Sequence, residues 1–150
     1  SGPSGFVERL KTRHKLQVRY LPPDVMLGSV RRLDLHRKQL LLEDSLDTAS
    51  LHFQLAQQLA YLEMENEIGT ALEDGQFTTK SAELLARRAL AGYAAAALIM
   101  PYVAFARAAE TRRYDLEALA RQFGASFEQT AHRITTLQRP GAEKLPVFVI

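Results

Sequence analysis

The 150-residue chain is long enough for one domain with a buried core, and its 47% hydrophobic and 24% charged residues are typical of a globular protein. The net charge of +2, from 19 Lys and Arg against 17 Asp and Glu, does not require a polyanionic partner. Cysteine is absent, which excludes disulfides, thiolate metal sites and cysteine nucleophiles within these residues.

The amino-terminal third predicts strands. After a polar and flexible start, "SGPSG", apolar residues alternate with polar ones in "KLQVRYL" (15–21), as in a strand with one covered face. Beyond the turn signal "PPD", the run "VRRLDLHRKQLLLE" alternates, turns at "HRK" and alternates again. These patterns predict a β-hairpin within a small antiparallel sheet.

From Asp47 onward the apolar spacing becomes helical. Asp47 or Ser50 can cap a helix that runs to about Gly69, and a long helix begins near Ser81. Pro101 must break or kink that long helix, because proline removes a hydrogen bond and clashes with the preceding turn. The uncharged segment 89–106 is rich in alanine, so it predicts a buried core helix and no membrane span.

Two shorter helices follow. The sequence "DLEALARQF" predicts a helix closed by Gly124, and Ser126 with Gln129 three residues later predicts a capping box for "SFEQTAHRITTL". The last residues, "LPVFVI", resemble a strand. The fold class predicted is therefore α+β, with a small antiparallel sheet packed on about four helices in a single domain, 1–150.

The helical stretch "FQLAQ" matches the spacing of a zinc peptidase but not its chemistry. In an HExxH helix, two His four residues apart bind zinc and the Glu beside the first acts as general base. Here those positions fall on Phe53, Gln54 and Gln57. Phe cannot bind a metal and a neutral amide cannot take a proton from water, so we expect neither metal nor hydrolysis. An ordinary core helix explains the pattern as well.

Downstream residues resemble the ImmA/IrrE metallopeptidase family. Leu98–Pro101 matches its L-L-M-P motif, and Arg133–Leu137 matches its final R-L-x-x-L signature. The resemblance runs from about Leu16 to Leu137. It implies an IrrE-like, zincin-like fold with a lost metal site, and the third zinc ligand of the family falls on Leu90.

Within that family, the loss of the metal site together with "FQLA" resembles the short-chain fatty-acyl transcriptional regulators of the PrpR and RamB type. This resemblance implies a sensor domain that binds coenzyme A or a short acyl-CoA in propionate metabolism, the methylcitrate cycle or the glyoxylate cycle. It further implies a cytoplasmic homodimer that contacts DNA through an amino-terminal helix-turn-helix. We expect that domain, and a cysteine-bearing carboxy-terminal region, to lie outside these residues.

Coenzyme A requires cations for its phosphates and a narrow apolar channel for its pantetheine arm. Small residues along the long helix can form such a channel, although close helix packing explains them equally. Arg87 can bind phosphate or pair with Glu83 one turn earlier. The predicted ligand-binding residues are Arg19, Arg31, Phe53, Gln54, Gln57, Tyr61, Arg87, Arg88, Leu90 and Tyr93.

Two other functions fit the sequence. The last two helices have the order of a helix-turn-helix, but the second begins with Phe127, Glu128 and Gln129 and carries Arg133 only a turn later, which is a poor phosphate-binding pattern. A structural dimerisation module is the other alternative. His52, next to the former metal position, is expected to be a surface residue.

Overall fold

A computed structural model describes residues 3–73 and 75–137. They form an α+β fold with eight helices and three strands, so the predicted fold class is confirmed with more helices than expected. The predicted final strand lies outside the described residues. In chain order the elements are α1 Pro3–His14, β1 Gln17–Leu21, α2 Pro23–Met26, β2 Arg31–Asp34, β3 Gln39–Glu43, α3 Thr48–Glu63, α4 Glu65–Glu73, α5 Lys80–Ile99, α6 Tyr102–Thr111, α7 Leu116–Phe123 and α8 Phe127–Thr136.

The sheet is mixed, not purely antiparallel as predicted. Strands β2 and β3 form the expected hairpin, but β1 pairs with β3 in parallel, in the order β1-β3-β2. The chain returns through α2 and β2 before β3 begins, so β1 and β3 point the same way. Alternation specifies which face of a strand is buried but not its direction, which explains the error.

Residues from Pro3 onward form a helix, α1, where the sequence predicted a flexible start. Phe6 and Leu10, four residues apart, place buried side chains on one face of α1. That face packs against α3. At its end, Arg9 donates to both carboxylate oxygens of Glu63, and His14 Nε2 lies 2.7 Å from Glu63 Oε2. Burial opposes ionisation of Glu63, but these hydrogen bonds and charges outweigh it and lower the pKa of the carboxyl.

Helix α3 is the centre of the fold. Asp47 caps it by accepting a hydrogen bond from the Ser50 amide at 2.7 Å. It ends at Glu63 instead of about Gly69, since α4 begins a new direction after Met64. Leu55 and Leu59 on α3 are fully buried, within one core that also includes Leu40 and Leu42 of the sheet. The helix contacts α1 and α5, and its Gln54 and Gln57 accept hydrogen bonds from Arg31 of β2.

Pro101 separates α5 from α6, as predicted. Helix α5 ends at Ile99, and Pro101 caps the start of α6. Within residues 3–73 and 75–137 no single helix has the length and hydropathy to cross a membrane; α5 and α6 reach them only when counted together across a 57° bend.

The predicted boundaries of the last two helices are confirmed. Gly124 closes α7 in the left-handed conformation with φ of 67°. Ser126 and Gln129 then form the reciprocal capping box of α8, at 3.0 and 2.9 Å. This short turn brings α8 back across the end of α5.

Candidate functional site

A cavity of about 440 Å³ lies between α3, α5 and α8. This volume is within the range of small-molecule binding pockets. Its α5 wall comes from one helical face, with the spacing i, i+3, i+4 and i+7. The lining residues are Phe53 of α3; Ala89, Gly92, Tyr93 and Ala96 of α5; and Glu128, Gln129, His132, Arg133 and Thr136 of α8. The floor is thus apolar, with small side chains, and the α8 side is polar.

Gly92 keeps the space between α3 and α5 open. A Cβ atom placed on Gly92 would lie 3.8 Å from Phe53 Cζ and 4.0 Å from Gln57 Nε2, with no clash. The backbone of α5 could therefore accept a side chain here, but glycine leaves the volume empty. Gly92 therefore directly faces Phe53 and Gln57 of α3.

Arg31 lies beside this helix, on the buried face of the sheet. Its Nη1 donates to Gln54 Oε1 at 2.7 Å and to Gln57 Oε1 at 2.9 Å. Its guanidinium carbon lies 5.7 Å from the centre of the Tyr61 ring, within cation–π range. Four of the predicted site residues, on β2 and α3, are thus brought together.

The positively charged side chain of Arg31 is partly buried. Burial lowers the pKa of its guanidinium, the Tyr61 phenol acts in the opposite direction, and the charge of Arg88 adds to the lowering. The side chain still stays protonated at neutral pH, because the pKa of arginine begins so high.

The other predicted residues are more scattered. Arg19 is exposed on β1, at the opposite edge of the sheet from Arg31, two strand spacings or about 9.5 Å away. Arg87 is half-buried, and Glu83, its predicted partner, pairs with Lys80 at 3.3 Å. Tyr93 lines the cavity, whereas Leu90 packs with Tyr61 against a separate small cluster of Ile68, Leu72 and Ala91.

These residues do not fit a zinc ion. Phe53 has no donor atom, and the oxygens of Gln54 and Gln57 are both directed at the Arg31 guanidinium. Residues 3–73 and 75–137 contain no group of three His, Cys, Asp or Glu side chains placed to hold a metal. The side chains at these positions therefore do not provide the ligands that a zinc ion needs.

Arg133 lines the cavity, although it is not among the ligand-binding residues predicted from the sequence. It is buried, its Nε donates to the Met100 carbonyl at 3.0 Å, and its Nη1 donates to Thr136 Oγ1 at 3.2 Å. A cation at the carboxyl end of α5 is stabilised by the helix dipole. Arg133 is thus turned inward, away from any DNA backbone, which weakens the helix-turn-helix alternative. Its place in the apolar stripe with Thr130, Ile134 and Leu137 was a signal that could have identified it.

The prediction that His52 is a surface residue is wrong, since its side chain is only 1% exposed. It stacks on Phe6 with a ring separation of 4.8 Å, and its Nδ1 lies 2.9 Å from the Gly124 carbonyl oxygen. Because a carbonyl oxygen can only accept, Nδ1 carries the proton. Nε2 is buried with no partner among the described residues. His52 therefore joins α1, α3 and the α7–α8 turn.

His52 should make stability depend on pH. Burial lowers the pKa of the imidazole, and the hydrogen bond to Gly124 opposes this only in part. The unfolded chain then gains its proton at a higher pH than the folded chain, so the free energy of unfolding should decline as the pH falls below about 6.5. His52→Asn keeps a donor for Gly124 but cannot titrate, and should lose this part of the decline in urea denaturation between about pH 8 and pH 5. His36→Asn, at an exposed turn residue, is the control, and equal pH profiles for His52→Asn and the unchanged chain would contradict the assignment.

The chain belongs to the IrrE N-terminal-like domain family (Peptidase_M78), whose sequence model matches residues 11–135. Among curated relatives, the "Propionyl-CoA carboxylase regulator" of Cereibacter sphaeroides is 46% identical over 98 residues, which are 65% of this chain and 21% of that protein. The "HTH-type transcriptional regulator RamB" of Mycobacterium tuberculosis is 45% identical over 94 residues, 63% of this chain and 20% of that protein. Its "HTH-type transcriptional regulator PrpR" is 40% identical over 98 residues, 65% of this chain and 20% of that protein.

A solved structure supports the same assignment. A transcriptional regulator of Mycobacterium tuberculosis superposes with a TM-score of 0.83 at 33% identity, covering 92% of this chain and 42% of that chain. The resemblance to PrpR-type and RamB-type regulators is thus confirmed. The chain spans about a fifth of the length of the curated relatives it matches.

Proposed function

We propose that this chain is the effector-binding domain of a transcriptional regulator and that its effector is coenzyme A or a short acyl-CoA. The observation that carries the proposal is the apolar cavity of about 440 Å³ beside α3 in a chain whose relatives are named regulators, one of them of propionyl-CoA carboxylase. The site offers the two environments that such a ligand needs, an apolar channel and nearby cations.

The apolar arm of the ligand is assigned to the cavity. Phe53, Ala89, Gly92 and Ala96 present hydrocarbon to a slender chain, and Gly92 leaves room for it against the α5 backbone. Gln129 and Thr136 on the α8 side can hydrogen-bond to the amide and carbonyl groups of the ligand. Tyr93, half in solvent, stands at the wall of the cavity.

The domain acts by binding and not by catalysis. Gln54 stands where a peptidase of this kind has its general base, and its amide cannot accept a proton at neutral pH. The effector favours one arrangement of the domain and so shifts the population of the attached regulator. Cytoplasmic location, a homodimer and contact with DNA through a further domain stay predictions of this proposal.

Thermal unfolding with candidate ligands tests the proposal. Propionyl-CoA, acetyl-CoA or coenzyme A at about 100 times its Kd should add about 2.7 kcal/mol to the free energy of unfolding and raise Tm by roughly 8 °C. Zinc chloride should give no such rise, because its ligands are replaced. If none of the three coenzyme A compounds changes Tm at about millimolar concentration, the proposal is wrong.

A further inference from the structure

Six exposed cations lie together where α1 ends, β1 begins and the β2–β3 hairpin turns. The residues of this basic surface are Lys11, Arg13 and Lys15 at the end of α1, Arg19 on β1, and Arg37 and Lys38 in the hairpin turn. The rest of the chain has 13 Lys and Arg (19 − 6) against 17 Asp and Glu, which is a net charge of −4. The net charge of +2 is therefore the sum of two oppositely charged parts.

Backbone hydrogen bonds hold the parts of the basic surface side by side. The Lys15 amide donates to the Lys11 carbonyl at 3.2 Å, and the Gln17 amide donates to the Lys38 carbonyl at 3.0 Å. Arg19 follows two residues after Gln17, on the same face of β1. The end of α1, the start of β1 and the hairpin turn thus present their cations as one continuous surface.

Carboxylates of this chain do not neutralise the basic surface. Among residues 3–73 and 75–137, none of its six cations forms an ion pair. Segments 8–19 and 34–38, which contain the six cations, have only two carboxylates, Glu8 and Asp34. Asp34 Oδ1 accepts from the Arg37 backbone amide at 3.0 Å, so it caps the turn. The positive charge therefore faces solvent.

Helix stability explains only part of this arrangement. Cations in the last turn of α1 stabilise the helix dipole, which accounts for Lys11 and Arg13. Arg19 lies on a strand and Lys38 lies in a turn, so the same explanation does not extend to them. Like charges held close together repel one another, and a bound polyanion would remove that repulsion.

We propose that the basic surface contacts the phosphate backbone of duplex DNA. A duplex carries one negative charge per about 1.7 Å of its axis, and Lys and Arg side chains bind it by releasing counterions, whatever the base sequence. Contacts of this kind position a protein on DNA and do not select a sequence. The inference rests on the proposed function only for the presence of DNA, which the attached regulator brings within reach of this surface. Arg19, which lies away from the cavity, acts here.

Fluorescence anisotropy of this chain with a labelled duplex of about 20 base pairs tests the proposal. The Kd should be on the order of 10 µM at about 50 mM salt and equal for two unrelated base sequences. With about four phosphates neutralised, the affinity should fall roughly a hundredfold between about 50 and 200 mM salt.

Two variants remove charge from the basic surface without disturbing the fold. Lys11→Gln keeps a similar helix propensity, and Lys38→Asn introduces a residue that readily adopts the left-handed conformation found there, with φ of 56°. Each should weaken duplex binding roughly fivefold and reduce the salt slope by about 0.9. Arg121→Gln is the matched control: it removes an exposed cation from α7, in the helix-turn-helix-like pair, and should bind the duplex as the unchanged chain does.

The outcomes separate this inference from the proposed function. Absence of duplex binding at about 50 mM salt, equal weakening in Arg121→Gln and Lys38→Asn, or tighter binding to phosphatidylserine vesicles than to the duplex would overturn the DNA contact. Duplex binding that depends on Lys11 and Lys38, without any effect of propionyl-CoA on Tm, would support the contact and refute the proposed function. A rise in Tm with propionyl-CoA, without duplex binding, would do the reverse.

Discussion

Gly124→Ala should lower the free energy of unfolding by about 3 kcal/mol. Gly124 closes α7 with φ of 67°, a conformation that costs an alanine about 1–2 kcal/mol. The added Cβ would also lie 2.9 Å from His52 Nδ1 and 3.2 Å from its Cε1. His52 is buried against Phe6 and cannot move away freely, so the new methyl group would disturb the junction of α1, α3 and α7.

Gly28→Ala is the matched control. Gly28 has φ of 85° but no neighbouring atom within 4 Å of the added Cβ, so its cost should be only the conformational one of about 1–2 kcal/mol. Urea denaturation of both variants gives the difference, which measures the contact with His52. Equal destabilisation by the two changes would mean that Gly124 and His52 are not packed as described.

Gly92→Leu should abolish effector binding while leaving the chain folded. The first added carbon meets Phe53 and Gln57 at ordinary contact distance, and the rest of the leucine side chain must enter the cavity. Leucine also has a higher helix propensity than glycine. We expect the affinity for propionyl-CoA to fall about a hundredfold or more, since the arm and the side chain would compete for one volume.

Gly69→Leu provides the same chemical change outside the cavity. Gly69 lies in α4, and no atom lies within 4 Å of its added Cβ. Isothermal calorimetry should show propionyl-CoA binding for this variant with nearly the affinity of the unchanged chain. Propionyl-CoA binding that is retained in Gly92→Leu would show that the effector binds outside this cavity.

Local sequence signals were sufficient for several helix boundaries. The caps at Asp47, Gly124 and Ser126 each depend on a side chain, or its absence, within three residues of the helix end. The break at Pro101 likewise follows from one residue. Such features are predictable because their physical cause is contained in the segment itself.

Long-range packing decided the features that were missed. Helix α1 depends on Phe6 and Leu10 meeting α3, and the direction of β1 depends on its pairing with β3. His52 is buried because Phe6 and Gly124, which are 46 and 72 residues away in sequence (52 − 6 and 124 − 52), cover it. None of these contacts can be predicted from the residues adjacent to them in sequence.

Only part of the candidate site could be predicted from the sequence. Helical spacing alone places Phe53, Gln54 and Gln57 on one face of α3, next to the cavity. Gln54 and Gln57 of α3 accept hydrogen bonds from Arg31 of β2, which lies 23 and 26 residues earlier in the chain. Arg31 and Arg19 were therefore equal candidates from the sequence, which could not show which of them contacts α3. The two arginines lie on strands at opposite edges of the sheet, Arg19 on β1 and Arg31 on β2.

A crystal structure of the chain with propionyl-CoA examines the receptor hypothesis most directly. Electron density for the acyl-pantetheine arm should fill the space between Phe53, Gly92 and Ala96. Clear density for this ligand at another surface, or an unfilled cavity in crystals grown at saturating ligand, would contradict the account.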